Sequence, residues 1–335
     1  MIPKRLVPRP PVIDGQKSEY KQPGNLTDRV TATEDLFVLV HMSVPDVPAE
    51  GWSLDITGLV DNPISITLDE LRRLPKKTVE AVQKCASSPR NPTEPTRQVG
   101  NPEWSGVDLR EVLDQAGVHR NASHLWAYGL DYGSFIGVEQ EHYLKDIPRS
   151  RVDDGDVLIA YEVNGQPLSA KHGAPARLIV PGYYGTNSVK WLCRLELQDR
   201  RADSLFTRIL YNDRDLESDP TGHTTRPVWK IEPESIIVSP ATDDTLTAGK
   251  VEIWGWAWSH CAVRTVDVSV DGGRTWQVAA LEPRLQYGWQ RFRFEWTPVG
   301  RGPFEICCRT TDMTGASQPM EAARNMVHSI TVTVA

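Results

Sequence analysis

Three potential cations, His172, Arg177 and Lys190, stand close together in the stretch Tyr161 to Leu192, YEVNGQPLSAKHGAPARLIVPGYYGTNSVKWL. Cations fixed near one another bind anions, and a guanidinium among them suits phosphate. The same stretch carries Gly173, Pro175, Pro181, Gly182 and Gly185. Glycines there let the backbone approach a ligand closely. Leu178 to Val180 is a short apolar run that reads as a buried strand. The Pro-Gly-Tyr-Tyr-Gly that follows ends it in a sharp loop. The residues alone leave two readings open, an anion cradle and a surface turn with scattered charges. Neither GxxxxGK[ST] nor GxGxxG is present to decide between them.

The stretch resembles the signature of the sulfite oxidase family of molybdopterin-dependent oxidoreductases, AYE-x-NG-x-PL-x-x-x-HG-x-P-x-R followed by VPG-x-x-G-x-x-x-VKWL. Ala160 to Gly165, Pro167, Leu168, His172, Gly173, Pro175, Arg177, Val180 to Gly182, Gly185 and Val189 to Leu192 fit it. The resemblance implies that His172, Arg177 and Lys190 hold the phosphate and pterin ends of molybdopterin. It also implies contacts from the backbone near Ser188 and Val189.

Cys85 lies in QKCASSPRNP. A lone cysteine usually reads as a small buried hydrophobe. Here the position resembles the family's Q-C-A-G-N-R-R, which implies that Cys85 is the protein ligand to molybdenum. A thiolate suits that role as a soft donor. Ser87, Ser88 and Pro89 depart from the pattern, while Arg90 falls on the family's second arginine, an active-site cation. Taken alone, Arg90 is a solvated loop residue. Phe37 to His41 resembles a family loop of the form F-x-R-x-H, so Phe37 and His41 are expected against the cofactor. Leu39 stands where the family has a sulfite-binding arginine, and leucine cannot bind an oxyanion. By the same resemblance Asp131 contacts the cofactor and Tyr211 is the active-site tyrosine. As bare residues they read as a turn aspartate and a half-buried packing tyrosine. Arg208 and Arg324 are further candidates for cations around the substrate.

These residues need elements to position them. Leu36 to His41 reads as an apolar strand, and Trp52 to Val60 as a looser one. Thr67 caps a short helix, TLDELRRL, with Glu70 at the capping-box position. Val79 to Val82 is a strand candidate ending at Cys85, and residues 86–103 a long loop that is either disordered or functional. VDLREVLDQAGV is an amphipathic helix closed by Gly117. His124 to Leu130 and Trp191 to Leu197 read as strands, and residues 200–235 as an irregular crossing segment. Beyond Ile236, valines and aromatic residues alternate with polar ones around the Asp271-Gly272-Gly273 turn, the texture of an immunoglobulin-like β-sandwich. VEIWGWAWS and VDVSVDGGRTWQVA resemble the family's dimerisation domain. The implied fold is α+β. An extended segment, 1–30, leads into a molybdopterin-binding catalytic domain, 31–235, and a sandwich, 236–335.

A length of 335 residues suits two domains or three, and 39% hydrophobic with 24% charged residues is globular composition. A net charge of −7 argues against nucleic-acid binding. No apolar run approaches the ~18 residues of a membrane span. The N-terminus shows no apolar signal core, which points to the cytoplasm, or to the periplasm if an export signal has been removed. Five cysteines without a CxxC spacing argue against a disulfide framework and a structural zinc site. The resemblance implies a homodimeric molybdenum enzyme that transfers an oxygen atom, oxidising sulfite to sulfate. Without a CxxCH haem motif, electrons would leave to a separate acceptor such as a cytochrome. Three other readings stay open: a reductase of nitrate or a sulfoxide, a subunit of a larger sulfur-oxidising complex, and an inactive β-sandwich interaction protein.

Overall fold

Two compact units divide the chain, and neither is continuous in sequence. The first joins Met1–Glu19, Val38–Val79 and Glu103–Trp229, and the second joins Tyr20–Phe37, Glu80–Pro102 and Lys230–Ala335. A computed structural model describes residues 10–12, 26–88, 98–215, 218–219, 221, 223–321 and 324–335. Arg90 and most of the expected extended segment 1–30 lie outside the described residues.

The first unit holds two main sheets. One sheet runs Leu144–Pro148, His124–Gly129, Leu192–Gln198, Ser53–Gly58, Ile64–Thr67. Its only parallel pairing is Ser53–Gly58 on Leu192–Gln198, with Ile56 opposite Leu195. The other runs Gln166–Pro167, Leu158–Val163, Glu103–Asp108, Lys76–Glu80, and Arg177–Ile179 pairs with Leu158–Val163. Leu54, Ile56, Leu109, Val112, Leu125, Ile159, Leu178 and Leu195 fill one buried core between them.

The helices form where local chemistry places them. Leu68–Arg73 starts with the expected box: the Thr67 hydroxyl accepts from Glu70 N, and the Glu70 carboxylate accepts from Thr67 N at 2.9 Å. Leu109–Ala116 buries Leu109, Val112, Leu113 and Ala116, and Gly117 ends it at φ 67°. A left-handed residue there costs glycine little.

Three expectations change. Leu36 to His41 is not a strand: a 3-10 turn covers Thr33–Asp35, and beyond it only Val38 bridges. The Leu39 carbonyl accepts instead from Lys190 Nζ at 3.0 Å, so a side chain satisfies backbone that a ladder would have used. Trp104-Ser105-Gly106 lies inside the Glu103–Asp108 strand, and Val99–Gly100 pairs with Gln83–Lys84, so the loop after Cys85 closes earlier than its composition implies. The crossing segment is partly regular, with a π-helical turn, Leu205–Ile209, and a hairpin of Asn212–Arg214 with Thr225–Pro227.

The second unit is a sandwich. Glu234–Ser239, Val251–Trp258, Gln290–Trp296 and Ala280–Leu281 make one sheet. Thr245–Leu246, His328–Val334, Gly302–Asp312, Val263–Ser269 and Gln277–Val278 make the other. Ile253 and Phe292 from the first meet Val266, Val268, Ile306 and Val332 from the second. Early segments dock on this unit through its tryptophans. Trp256 and Trp289 stack with centroids 4.8 Å apart. Their indole N–H groups donate to Leu26 O at 2.7 Å and Arg29 O at 2.8 Å. Ala81 bridges Tyr287 in parallel. No helix among the described residues is long and apolar enough to cross a membrane.

Candidate functional site

Arg177 begins the strand that the apolar run foretold, and Arg177, Leu178 and Ile179 are all buried. Its guanidinium donates to His172 O and Ser188 O, each at 3.0 Å, and lies 4.8 Å over the Trp104 ring. Its Nε is buried without a hydrogen-bond partner. Burial pushes the pKa down to about 9, and the group keeps its charge at neutral pH. Lys190 follows on the return limb. Its ammonium donates to Leu39 O at 3.0 Å and Lys171 O at 3.1 Å. Burial lowers its pKa, Arg177 lowers it further, and Asp131 opposes both.

Gly173 explains how these limbs can meet. Its φ is +98°, and a Cβ there would stand 2.8 Å from the Cβ of Lys190. His172, one residue earlier, is buried at the end of the 3-10 turn Ala170–His172. Ser188 accepts from Val180 N through its hydroxyl, and Val189 O accepts from Leu178 N at 2.8 Å. The stretch that carries the cations is thus folded back on itself, with Ser188 and Val189 forming the bend beside Arg177.

Asp131 is the nearest acid. It is 4% exposed, and its Oδ1 has no hydrogen-bond partner. Burial raises its pKa, with Lys190 opposing. Neither Arg177 nor Lys190 makes an ion pair among the described residues. A buried cation without a counter-ion is costly. Two such cations with a spare N–H between them match an anionic, phosphate-bearing ligand.

His41 and Tyr211 meet, with Nε2 and Oη 2.5 Å apart. Phe135, Tyr143 and Phe206 surround the imidazole at centroid distances of 5.1–5.3 Å. Tyr211 has φ +57°, an uncommon region for a bulky residue and a mark of sites that hold strain. Lys145 lies 5.2 Å over its ring and donates to Phe206 O at 2.8 Å. Burial pushes Lys145 down to about 7, with Asp146 opposing and Arg201 adding. The sequence reading missed Lys145. Nothing in its local sequence, LKDIP, marks it out.

His41 supplies a pH prediction. Burial, then Lys190, then Lys145 pull its pKa from 6.5 to about 4. The folded ring is neutral at pH 7, while the unfolded chain takes up its proton near pH 6.5. Between those values the unfolded state binds more protons, so stability rises with pH and is lost as pH falls through the window. The full shift corresponds to ~3 kcal/mol. Urea unfolding of the cofactor-free protein from pH 7 to 4 should show this acid limb, and His41→Gln should flatten it. An unaltered limb in His41→Gln would contradict the assignment.

Cys85, Phe37 and Arg324 belong to the second unit, and the other described candidates to the first. Cys85 is 5% exposed, at the end of the Gln83–Lys84 ribbon. Its N–H donates to Gln98 O at 2.9 Å, and Ser87 N approaches Sγ at 3.4 Å. Lys84 fixes this turn from within. It is 1% exposed, pairs with Glu234 at 3.2 Å, and donates to the carbonyls of Cys85 and Ser88. A lysine beside the thiol would have drawn no notice in sequence. Arg208 is on the surface and pairs with Asp203 at 4.0 Å. Cys193, Cys307 and Cys308 are buried, and Cys261 is half-buried.

Comparison with known proteins bears on the whole arrangement. The oxidoreductase molybdopterin binding domain matches residues 41–206, and the Mo-co oxidoreductase dimerisation domain matches residues 225–333. Mitochondrial sulfite oxidase of Macaca fascicularis is 32% identical over 84% of this chain and 56% of its own length. The chain therefore spans about half the length of the mammalian relatives it matches. Sulfite oxidase of Gallus gallus is 31% identical over 88% of this chain and 69% of its own. Among solved structures, the sulfane dehydrogenase SoxCD from Paracoccus pantotrophus covers 97% of this chain and 86% of its own, with 27% identity and a TM-score of 0.81. Sequence signature, two-part fold and relatives agree, and the chain belongs to the sulfite oxidase family of molybdopterin-dependent oxidoreductases.

Proposed function

We propose that this chain is the molybdenum-bearing catalytic part of an enzyme that oxidises a sulfur compound, with sulfite as the substrate. The observation that carries the cofactor assignment is the unpaired buried cation: Arg177, with its free Nε, beside Lys190. In this reading Arg177, Lys190 and His172 hold the phosphate and pterin ends of molybdopterin. Phe37, His41, Asp131, Ser188 and Val189 line it, and Cys85 supplies the thiolate to the metal. When bound, the molybdenum cofactor supplies oxygen-atom transfer and accepts two electrons. The protein's part is to orient and to exclude water. Neutral His41 keeps the Tyr211 hydroxyl in place, and the aromatic wall of Phe135, Tyr143 and Phe206 keeps the pair dry. Arg90 is proposed as the substrate's cation. Electrons pass to a separate acceptor, for which a cytochrome fits.

Leu39 decides the substrate. Its side chain is half-buried and belongs to none of the three core clusters of the described residues. With sulfite as substrate, one cationic contact is missing. A charge-assisted bond is worth roughly 1.5–3 kcal/mol, about tenfold to a hundredfold in affinity. Sulfite should therefore show a high KM, rising with salt, and Leu39→Arg should lower it by that factor without changing molybdenum content. A second reading, a less charged sulfane-type substrate, is favoured by the apolar Leu39 and by the likeness to a sulfane dehydrogenase. It predicts that Leu39→Arg weakens turnover and leaves sulfite oxidation negligible. Tight sulfite binding by the unaltered protein would overturn the role given to Leu39.

The match to a dimerisation domain also supports a two-fold homodimer. Sedimentation at micromolar concentration should find two chains, and a monomer there would contradict it.

A further inference from the structure

Beyond the Val251–Trp258 strand the chain turns through Ser259, His260 and Cys261. Facing this turn is Asp312, the last residue of the Gly302–Asp312 strand. One donor atom from each of His260, Cys261 and Asp312 lies within 4.8 Å of the others. Asp312 is fully buried, and the other two are half-buried.

The carboxylate is held in place. Its Oδ1 accepts from Thr314 N at 2.9 Å, Thr314 Oγ1 at 2.6 Å and Ala316 N at 3.2 Å. Its Oδ2 faces the other turn, where it accepts from Ser259 Oγ at 2.8 Å and stands 3.9 Å from His260 Nδ1. The two turns are joined by Met313 N donating to Ala262 O at 3.0 Å. Cys261 Sγ makes a long contact, 3.7 Å, to the Ala262 carbonyl and also hydrogen-bonds the Asp312 carboxylate. The two turns thus bring all three donors near one point.

Thiolate, imidazole and carboxylate together form a borderline-soft donor set, suited to zinc and its neighbours rather than to magnesium or calcium. Tetrahedral zinc places such donors about 3.3–3.8 Å apart, a spacing that small side-chain rotations reach from here. Thiolate and carboxylate also balance the charge of a dication. Arg284, which donates to Ser259 O at 3.3 Å, remains beside an uncharged unit.

We propose that His260, Cys261 and Asp312 bind a zinc-class divalent ion that clips the 259–262 turn to the 312–316 turn, with a fourth position open to water. The CxxC rule misses such a site because the dipeptide His260-Cys261 takes its third ligand from about fifty residues later in the chain.

The test is cobalt substitution in the full chain. Chelator-treated protein is titrated with Co²⁺ and watched for thiolate-to-cobalt charge-transfer absorption. The Cys85→Ala variant removes the other candidate thiolate ligand and should keep the signal. One Co²⁺ per chain should bind in both proteins and be displaced by Zn²⁺. The absorption should vanish in Cys261→Ala, and affinity should fall at least about tenfold in His260→Ala. Circular dichroism checks that both variants fold. Absence of charge-transfer absorption in the unaltered protein overturns the proposal, as does its survival in a folded Cys261→Ala.

Discussion

Cys85→Ser should leave the protein folded and remove turnover. The serine hydroxyl nearly matches the thiol in size; Cys85 N donates to Gln98 O, Lys84 Nζ donates to the carbonyls of Cys85 and Ser88, and the 3.4 Å bond from Ser87 N to Sγ is one a serine oxygen can also accept. None of these needs sulfur. With a hydrogen-bond donor for the buried hydroxyl, the fold should lose no more than about 3 kcal/mol. The chemistry loses its soft donor, because a hydroxyl ligates molybdenum weakly and resists deprotonation. Turnover should fall by at least about three orders of magnitude, ~4 kcal/mol in barrier terms. Molybdenum content, sulfite turnover and thermal unfolding, measured on one preparation, check this. Substantial activity in a folded Cys85→Ser would remove Cys85 from the metal.

The second large effect concerns Arg177 and Lys190, and it has opposite signs in the empty and loaded protein. Without cofactor, both are buried, and only Asp131, near Lys190, supplies an opposing charge among the described residues, so losing their charge relieves a desolvation cost. The same change leaves the carbonyls of His172, Ser188, Leu39 and Lys171 without these donors. The two terms oppose each other, and Arg177→Met/Lys190→Met should change the stability of the empty protein by less than about 3 kcal/mol. With cofactor, each cation contributes a charge-assisted bond of about 1.5–3 kcal/mol to phosphate. Affinity for the pterin should then drop on the order of 10²–10⁴-fold. Molybdenum and phosphorus per chain after dialysis give the readout. Full retention by the double variant would show that the phosphate end lies elsewhere.

Much of the local architecture could be read before the fold was known. The Thr67 capping box, the Gly117 terminus and the Leu178 run depend on neighbours a few residues away, and each formed where expected. The alternation of Val266 and Val268 marked the sandwich because burial on one face imposes a period of two. Leu36 to His41 misled because apolar content cannot tell a strand from extended chain whose carbonyl serves a lysine. His41 and Tyr211 are 170 residues apart, and no local pattern pairs them. Lys84 and Lys145 were illegible for the same reason. Their burial comes from Glu234 and from the Phe206 carbonyl, partners that only the folded chain supplies.

The placing of Cys85 within the second unit has a consequence in time. Its ribbon is tied to residues made much later: Lys84 pairs with Glu234, Val82 N donates to Tyr287 O at 3.1 Å, and Ala81 bridges Tyr287. At about 5–20 residues per second, a ribosome reaches Tyr287 some 10–40 seconds after Cys85. Over that interval the thiol has left the tunnel with none of these late partners to hold its turn. The turn that carries Cys85 therefore waits for partners made about two hundred residues later in the chain.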